Sequence, residues 1–149
     1  MTIRWQETPF GFLRDLALFF CWNELHFYLS HRLLHTRWLL RHVHVVHHRS
    51  VVPTPFSTYS FHWGEALLLS SVMILWLLVL PLGIGTVVIF PLVSLTVNCI
   101  GHMNYALFPR ANLTDLLAGC RRHTWHHTHG GNYGFYLPWL DALFRTRQR

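Results

Sequence analysis

The chain has 149 residues, enough for one domain. Hydrophobic residues make up 52% of it and charged residues 12%, about half the charged share of an average soluble domain, which favours a lipid environment. Twelve basic residues against six acidic ones give a net charge of +6. All the basic residues are Arg, and no basic run carries the motif of a nucleic-acid module, so an anionic membrane surface is favoured over nucleic acid.

In chain order, the opening stretch MTIRWQETPFGFLRD has neither the apolar run nor the cleavage site of a secretory signal. PFGFLRDLALFFCWNELHFYLSHRLLH reads as a long helix; Arg14 and Asp15 interrupt its apolar part and leave open whether it spans, re-enters or lies at an interface. The segment His31–His48 then holds six histidines in eighteen residues and no carboxylate. His31 and His35 are four apart, one helical turn; His44, His47 and His48 follow at i, i+3 and i+4, again on one face.

Between Glu65 and Arg110 there is no Asp, Glu, Lys or Arg. Two arms, Phe61–Leu80 and Ile84–Met103, approach the roughly 20 residues that cross a bilayer core. Pro81–Gly83 breaks them apart, and Pro91 is placed to kink the second. The expected fold is therefore all-α: an integral membrane helical protein with a transmembrane helical hairpin and a helical histidine cluster. Two buried helices of a soluble protein are the alternative. A hairpin returns to its starting side, so Arg41, Arg49, Arg110, Arg121 and Arg122 share a face with every histidine cluster, and their excess makes that face cytoplasmic.

After the hairpin, ANLTDLLAGC reads as a short helix with Asn112 or Thr114 as N-cap. His123, His126 and His127 repeat the HxxHH spacing. LPWLDALFRTR reads as a short amphipathic surface helix. Residues 1–149 show no linker, so a single domain is expected. Cys21, Cys99 and Cys120 are scattered, with no CxxC pair.

Eight histidines thus fall into three groups with ligand spacing, enough for two metal ions at four each. A pH-sensitive imidazole patch would need no fixed spacing. Imidazole suits Zn, Cu, Fe and Ni. A structural zinc site takes four ligands, commonly including Cys, which this pattern does not offer. An all-nitrogen pair of sites fits two borderline ions; iron is the one with oxygen chemistry, and spacing alone does not separate it from zinc.

The order HxxxH, HxxHH, HxxHH around a hydrophobic hairpin resembles the fatty acid hydroxylase/sterol desaturase superfamily. ELHFYLSHRLLH resembles its first box, FHWGE its HPxE element with Trp63 in place of Pro, and GHMNYALFP its HSGY-FP stretch. HTWHHTHGGNYGFYLPWLDALFRT resembles its closing HxxHH–NYG–WD–LF–T block, with Leu140 between Trp139 and Asp141. The likeness runs from about Leu25 to Thr146, and the family places further membrane helices before its first box.

That resemblance implies that His31, His35, His44, His47, His48, His123, His126 and His127 are metal ligands and that His102 is a further one. His62 is either a ligand or a support. His26, His42 and His129 fall outside the boxes as supporting or solvent-facing groups. Glu24, Glu65, Asp115, Asp141 and Asn132 are candidate partners for the second ring nitrogens; Asp141 reads equally well as a helix cap or an Arg partner. The implied cofactors are two Fe ions, with Zn as a substitute in an isolated preparation. The implied reaction is O2-dependent oxidation of a lipid C–H bond to an alcohol or a double bond, with a fatty acyl, sterol or related substrate. Trp5, Phe19, Phe20, Trp22, Phe27, Phe56 and Tyr59 are candidates to line the passage to the metal. No GxGxxG, P-loop or CxxCH is present, so electrons are expected from a separate donor protein. The rival readings are a haem protein, a zinc hydrolase, which lacks its HExxH here, and a non-catalytic or degenerate membrane metal-binding protein.

Overall fold

The structure is a computed structural model and describes residues 2–105 and 118–148. The first helix, α1 (Pro9–Leu34), is well started. The Thr8 side chain accepts from Gly11 N at 3.0 Å, and Pro9 occupies the first turn, where its missing N–H costs nothing. At 26 residues it is about 39 Å long. It packs along both arms of a helical hairpin, α4 (Trp63–Val79) and α5 (Ile84–Gly101). Among the described residues, α5 is the one helix long and apolar enough to cross a membrane; α4 is equally apolar in character but has 17 residues. The helix continues through Pro91.

The charges that interrupt α1 sit at the hairpin's closed end. Leu82–Gly83 (β2) pairs in parallel with Ile3–Arg4 (β1). Asp15 is buried there, accepting from Gly83 N at 3.0 Å and pairing with Arg4 and Arg14. Glu7 Oε1 accepts from Gly85 N at 2.6 Å. The amino-terminal segment therefore pins the hairpin tip, and α1 runs antiparallel to α4 and parallel to α5. Just inside the tip lies an apolar core of Phe19, Leu77, Leu82 and Phe90, with Phe19 edge-on to Phe90 (centroids 4.5 Å apart) and to Trp76 (5.6 Å). Outward-facing Leu13, Leu18, Leu67, Ile74, Leu78, Val88 and Leu92 are exposed on the three long helices.

The opposite end holds the short elements: α2 (Arg37–Leu39), a π-helical turn over Leu40–His44, α3 (Val45–His48), α6 (Gly119–His129) and α7 (Trp139–Leu143). Most of the helix expected at ANLTDLLAGC, with its candidate caps Asn112 and Thr114 and with Asp115, lies outside the described residues. The expected terminal amphipathic helix is only the five residues of α7. Its Trp139 is half exposed, while Leu140 and Asp141 are buried, so it anchors inward as much as it faces out.

Candidate metal centre

Nine histidines converge at this end in two groups. His31, His35, His44, His48 and His126 offer one nitrogen each within 4.8 Å of one another, and so do His47, His102, His123 and His127. Each group draws on both ends of the chain. Each HxxHH box is divided: the i, i+4 pair goes to one group and the i+3 histidine to the other. Helix geometry explains the division. At about 100° per residue, positions i and i+4 point about 40° apart, whereas i+3 and i+4 differ by a full 100°. In each box the i+3 ring is thus turned toward the other group, although the three positions lie on one side of the helix.

Four of the rings are oriented by the partners of their Nδ1 atoms. His31 Nδ1–H donates to the Tyr133 carbonyl at 2.8 Å, His102 to the Asn98 carbonyl at 2.8 Å, His126 to the Gly131 carbonyl at 2.5 Å, and His44 to Glu65 Oε1 at 2.8 Å. A proton on Nδ1 leaves a lone pair on Nε2, so these four tautomers aim lone pairs into the cluster. His126 Nε2 lies 3.0 Å from His35 Nε2 and 3.1 Å from His48 Nε2, and those two are 3.2 Å apart. In the other group His102 Nε2 is 2.9 Å from His123 Nε2, which is 3.1 Å from His127 Nε2; His47 Nε2 is 3.5 Å from His102 Nε2. His44 Nε2 is buried with no hydrogen-bond partner among the described residues. Converging lone pairs repel one another unless a cation lies between them, so the donor sets fit two metal ions.

Burial keeps these imidazoles neutral, as coordination requires. Desolvation holds His35 at about 4, His47 at about 2 and His127 at about 3, and neighbouring imidazoles push in the same direction. Burial also lowers His123 and His126 well below the ordinary imidazole range, with neighbouring imidazoles adding to the effect.

The carboxylates act around the rings. Glu65 is the direct partner of His44. Asp141 is fully buried and accepts from Tyr133 N (2.7 Å), Gly134 N (2.8 Å) and Thr146 Oγ1 (2.7 Å), fixing the loop whose carbonyl holds His31. Glu24 accepts from Tyr136 N and Leu137 N, both at 2.9 Å, and Arg122 donates to the Tyr136 carbonyl at 2.7 Å. Asn132 Oδ1 accepts from Gln148 N at 3.0 Å. Of the remaining histidines, His62 caps α4 by accepting from Gly64 N, His26 meets Ser71 Oγ at 3.1 Å, His42 donates to the Trp38 carbonyl, and His129 stacks on Trp125. None of these four joins either group.

A cavity of about 490 Å³ lies between α1, α4 and α5, walled largely by apolar side chains such as Phe20, Met73 and Phe90. It shares Phe27, Phe61, Leu69 and Asn98 with a space of about 20 Å³ that His31, His44, His47, His102 and His123 border. The smaller space holds one water-sized group. Of the aromatic residues expected along a passage, Phe20, Phe27 and Tyr59 line the cavity. Phe19 is in the tip core, Trp22 donates to the Val72 carbonyl beside it, and Trp5 and Phe56 face outward. Composition alone gave no means of separating them. Asn98 and the Tyr133 and Gly131 carbonyls were not singled out from the sequence; GGNY was the only signal near the last two.

The profile of the Fatty acid hydroxylase family matches residues 16–146. Among curated proteins, the chain is 31% identical over 138 residues to the very-long-chain aldehyde decarbonylase GL1-8 of Oryza sativa subsp. indica, covering 89% of this chain and 51% of that protein. It is 28% identical over 158 residues to methylsterol monooxygenase 2-2 of Arabidopsis thaliana, covering 95% and 54%. With the delta(7)-sterol 5(6)-desaturase of Leptosphaeria maculans the identity is 28% over 131 residues, covering 87% and 35%. The chain thus spans about half the length of the first of these relatives. No solved structure matches it.

Proposed function

The chain belongs to the fatty acid hydroxylase family, and from that premise we propose that it is a membrane di-iron oxygenase acting on an unactivated C–H bond of a lipid. The observation that carries this reading is the placement of the site: a lipid-sized, largely apolar cavity shares part of its wall with a water-sized space bordered by members of both histidine groups. Relatives named for sterol desaturation and methylsterol monooxygenation support the reaction class.

His31, His35, His44, His48 and His126 would hold one iron ion, and His47, His102, His123 and His127 the other. Bound there, the pair supplies reductive activation of O2. In sum, R–H, O2, two electrons and two protons give R–OH and water; removal of two hydrogens instead gives a double bond and two waters. The protein's own part is positional. Glu65 and the Tyr133, Asn98 and Gly131 carbonyls fix ring tautomers and directions. Phe27, Phe61 and Leu69 narrow the approach and keep bulk water from the reacting carbon. The cavity walls hold the lipid by apolar burial.

We place the three long helices in the bilayer, with the metal centre at its cytoplasmic boundary. The exposed apolar residues of α1, α4 and α5 support this. So does the charge distribution: Arg4 and Arg14 at the hairpin tip are paired with Asp15, whereas Arg37, Arg41, Arg49, Arg121, Arg145 and Arg147 lie toward the histidine end. The reductant is a separate electron-donor protein, and an acidic one would suit that Arg-rich face.

The test is mass spectrometry of lipids from a host expressing the chain together with an electron donor, beside its His47→Ala variant. The reading expects lipids that have gained one oxygen or lost two hydrogens, absent with the variant. Unchanged lipids from an iron-loaded, reduced protein contradict it. A Soret band points to haem and one zinc per chain to a hydrolase.

A further inference from the structure

The cavity contains a polar group that the chemistry above leaves unused. Asn98 lies one turn before His102 on α5 and lines both the large cavity and the small space beside the histidines. Its Nδ2 donates to the Ser94 carbonyl at 2.7 Å and to Ser94 Oγ at 3.2 Å. A main-chain carbonyl only accepts, so this contact settles which amide atom faces it. Asn98 Oδ1 is left without a hydrogen-bond partner among the described residues. The other three residues of the throat, Phe27, Phe61 and Leu69, offer it none. A lipid that fills the cavity covers this oxygen, and one that offers it a hydrogen bond avoids the cost of leaving it unpaired.

The free atom accepts and does not donate. It therefore discriminates among lipids by chemistry. A hydroxyl can donate to it; an aldehyde, ketone or ester carbonyl cannot, and a hydrocarbon chain leaves it unpaired. Its position sets the register: Asn98 stands where the large cavity meets the small space bordered by the histidines. We propose that Asn98 is a specificity-determining residue that selects lipids bearing a hydroxyl group within a few bonds of the carbon to be oxidised. This rests on the reading of the cavity as the substrate site.

The bond that orients His102 runs to the main-chain carbonyl of Asn98, so substitution of the side chain keeps it and metal content should not change. Asn23 is the control, because it lines the wide part of the same cavity but not the throat.

The experiment is displacement of radiolabelled hexadecan-1-ol from the purified full chain in detergent micelles, by unlabelled hexadecan-1-ol or by hexadecanal. On the wild-type chain the alcohol should displace about fivefold better than the aldehyde, as one net hydrogen bond allows. Asn98→Leu should bring the ratio to about one with metal content unchanged. Asn98→Asp, which keeps the acceptor, and Asn23→Leu should both retain the preference. Equal displacement on the wild-type chain overturns the proposal; so does a preference that survives Asn98→Leu, or one that disappears with Asn23→Leu. Should Asn98→Leu fail to fold, the wild-type, Asn98→Asp and Asn23→Leu ratios still decide. An iron-loaded chain that binds with this preference but oxidises no lipid counts against the proposed reaction alone.

Discussion

Removing the carboxylate of Glu65 should weaken one metal site and spare the other. Glu65 Oε1 accepts from His44 Nδ1 at 2.8 Å, and both side chains are 1% exposed, so water cannot replace the partner. In Glu65→Ala the His44 ring loses the bond that fixes its tautomer, and its buried Nδ1–H loses its acceptor. Loss of such a support costs about 10–100-fold in metal affinity, or about 1.4–2.7 kcal/mol. His44 belongs to the group containing His31, His35, His48 and His126, so only one of two bound ions should become labile. Glu65→Gln retains an acceptor oxygen and should keep most of the affinity. Chelator competition on the iron-loaded protein reads this directly: one tight and one weakened ion in the Ala variant, two tight ions in the Gln variant. Two tight ions in Glu65→Ala, or equal weakening of both, would refute the reasoning.

Asp141→Ala should lower thermal stability by about 3 kcal/mol or more, since three donors to a fully buried carboxylate lose their acceptor together; a melting temperature unchanged from wild type would contradict this. Gly101→Ala should be destabilising by about 1–3 kcal/mol, because a methyl there would overlap the ring of Phe135; a double variant with Phe135→Leu should recover part of the loss. Acid should destabilise the metal-free protein. His35, His47 and His127 titrate at about 4, 2 and 3 in the fold and near 6.5 when unfolded, so the unfolded chain binds the extra protons and stability falls as pH drops from about 6.5 toward 4. Denaturant midpoints measured across that range should decline steadily; a flat profile would show that these rings are not buried as neutral groups.

The histidine boxes were legible because helix periodicity fixes which positions share a face, and the absence of charge from residue 66 to 109 marked the hairpin. The interleaving of the two boxes was less visible. It depends on a 100° difference in direction between adjacent residues, which matters only once the facing box is in place. Arg14 and Asp15 left the course of α1 ambiguous, and the Arg4 and Gly83 contacts at the hairpin tip explain their presence. The supports of His31 and His126 are main-chain carbonyls, atoms that every residue carries, so no side-chain pattern announces them. Asn98 was hidden for a different reason: a lone amide in an apolar helix is ordinary until a cavity opens on both of its sides. The division of the aromatics between throat, tip core and outer face likewise depends on packing that composition does not encode.

The central claim is that two interleaved histidine groups hold two metal ions side by side, and counting iron per chain in group-specific variants tests it most directly. The wild-type protein should hold two irons. His126→Ala and His123→Ala should each hold about one, because each removes a ligand from a different group. Loss of both ions from each single variant, or one ion in the wild-type chain, would contradict the account.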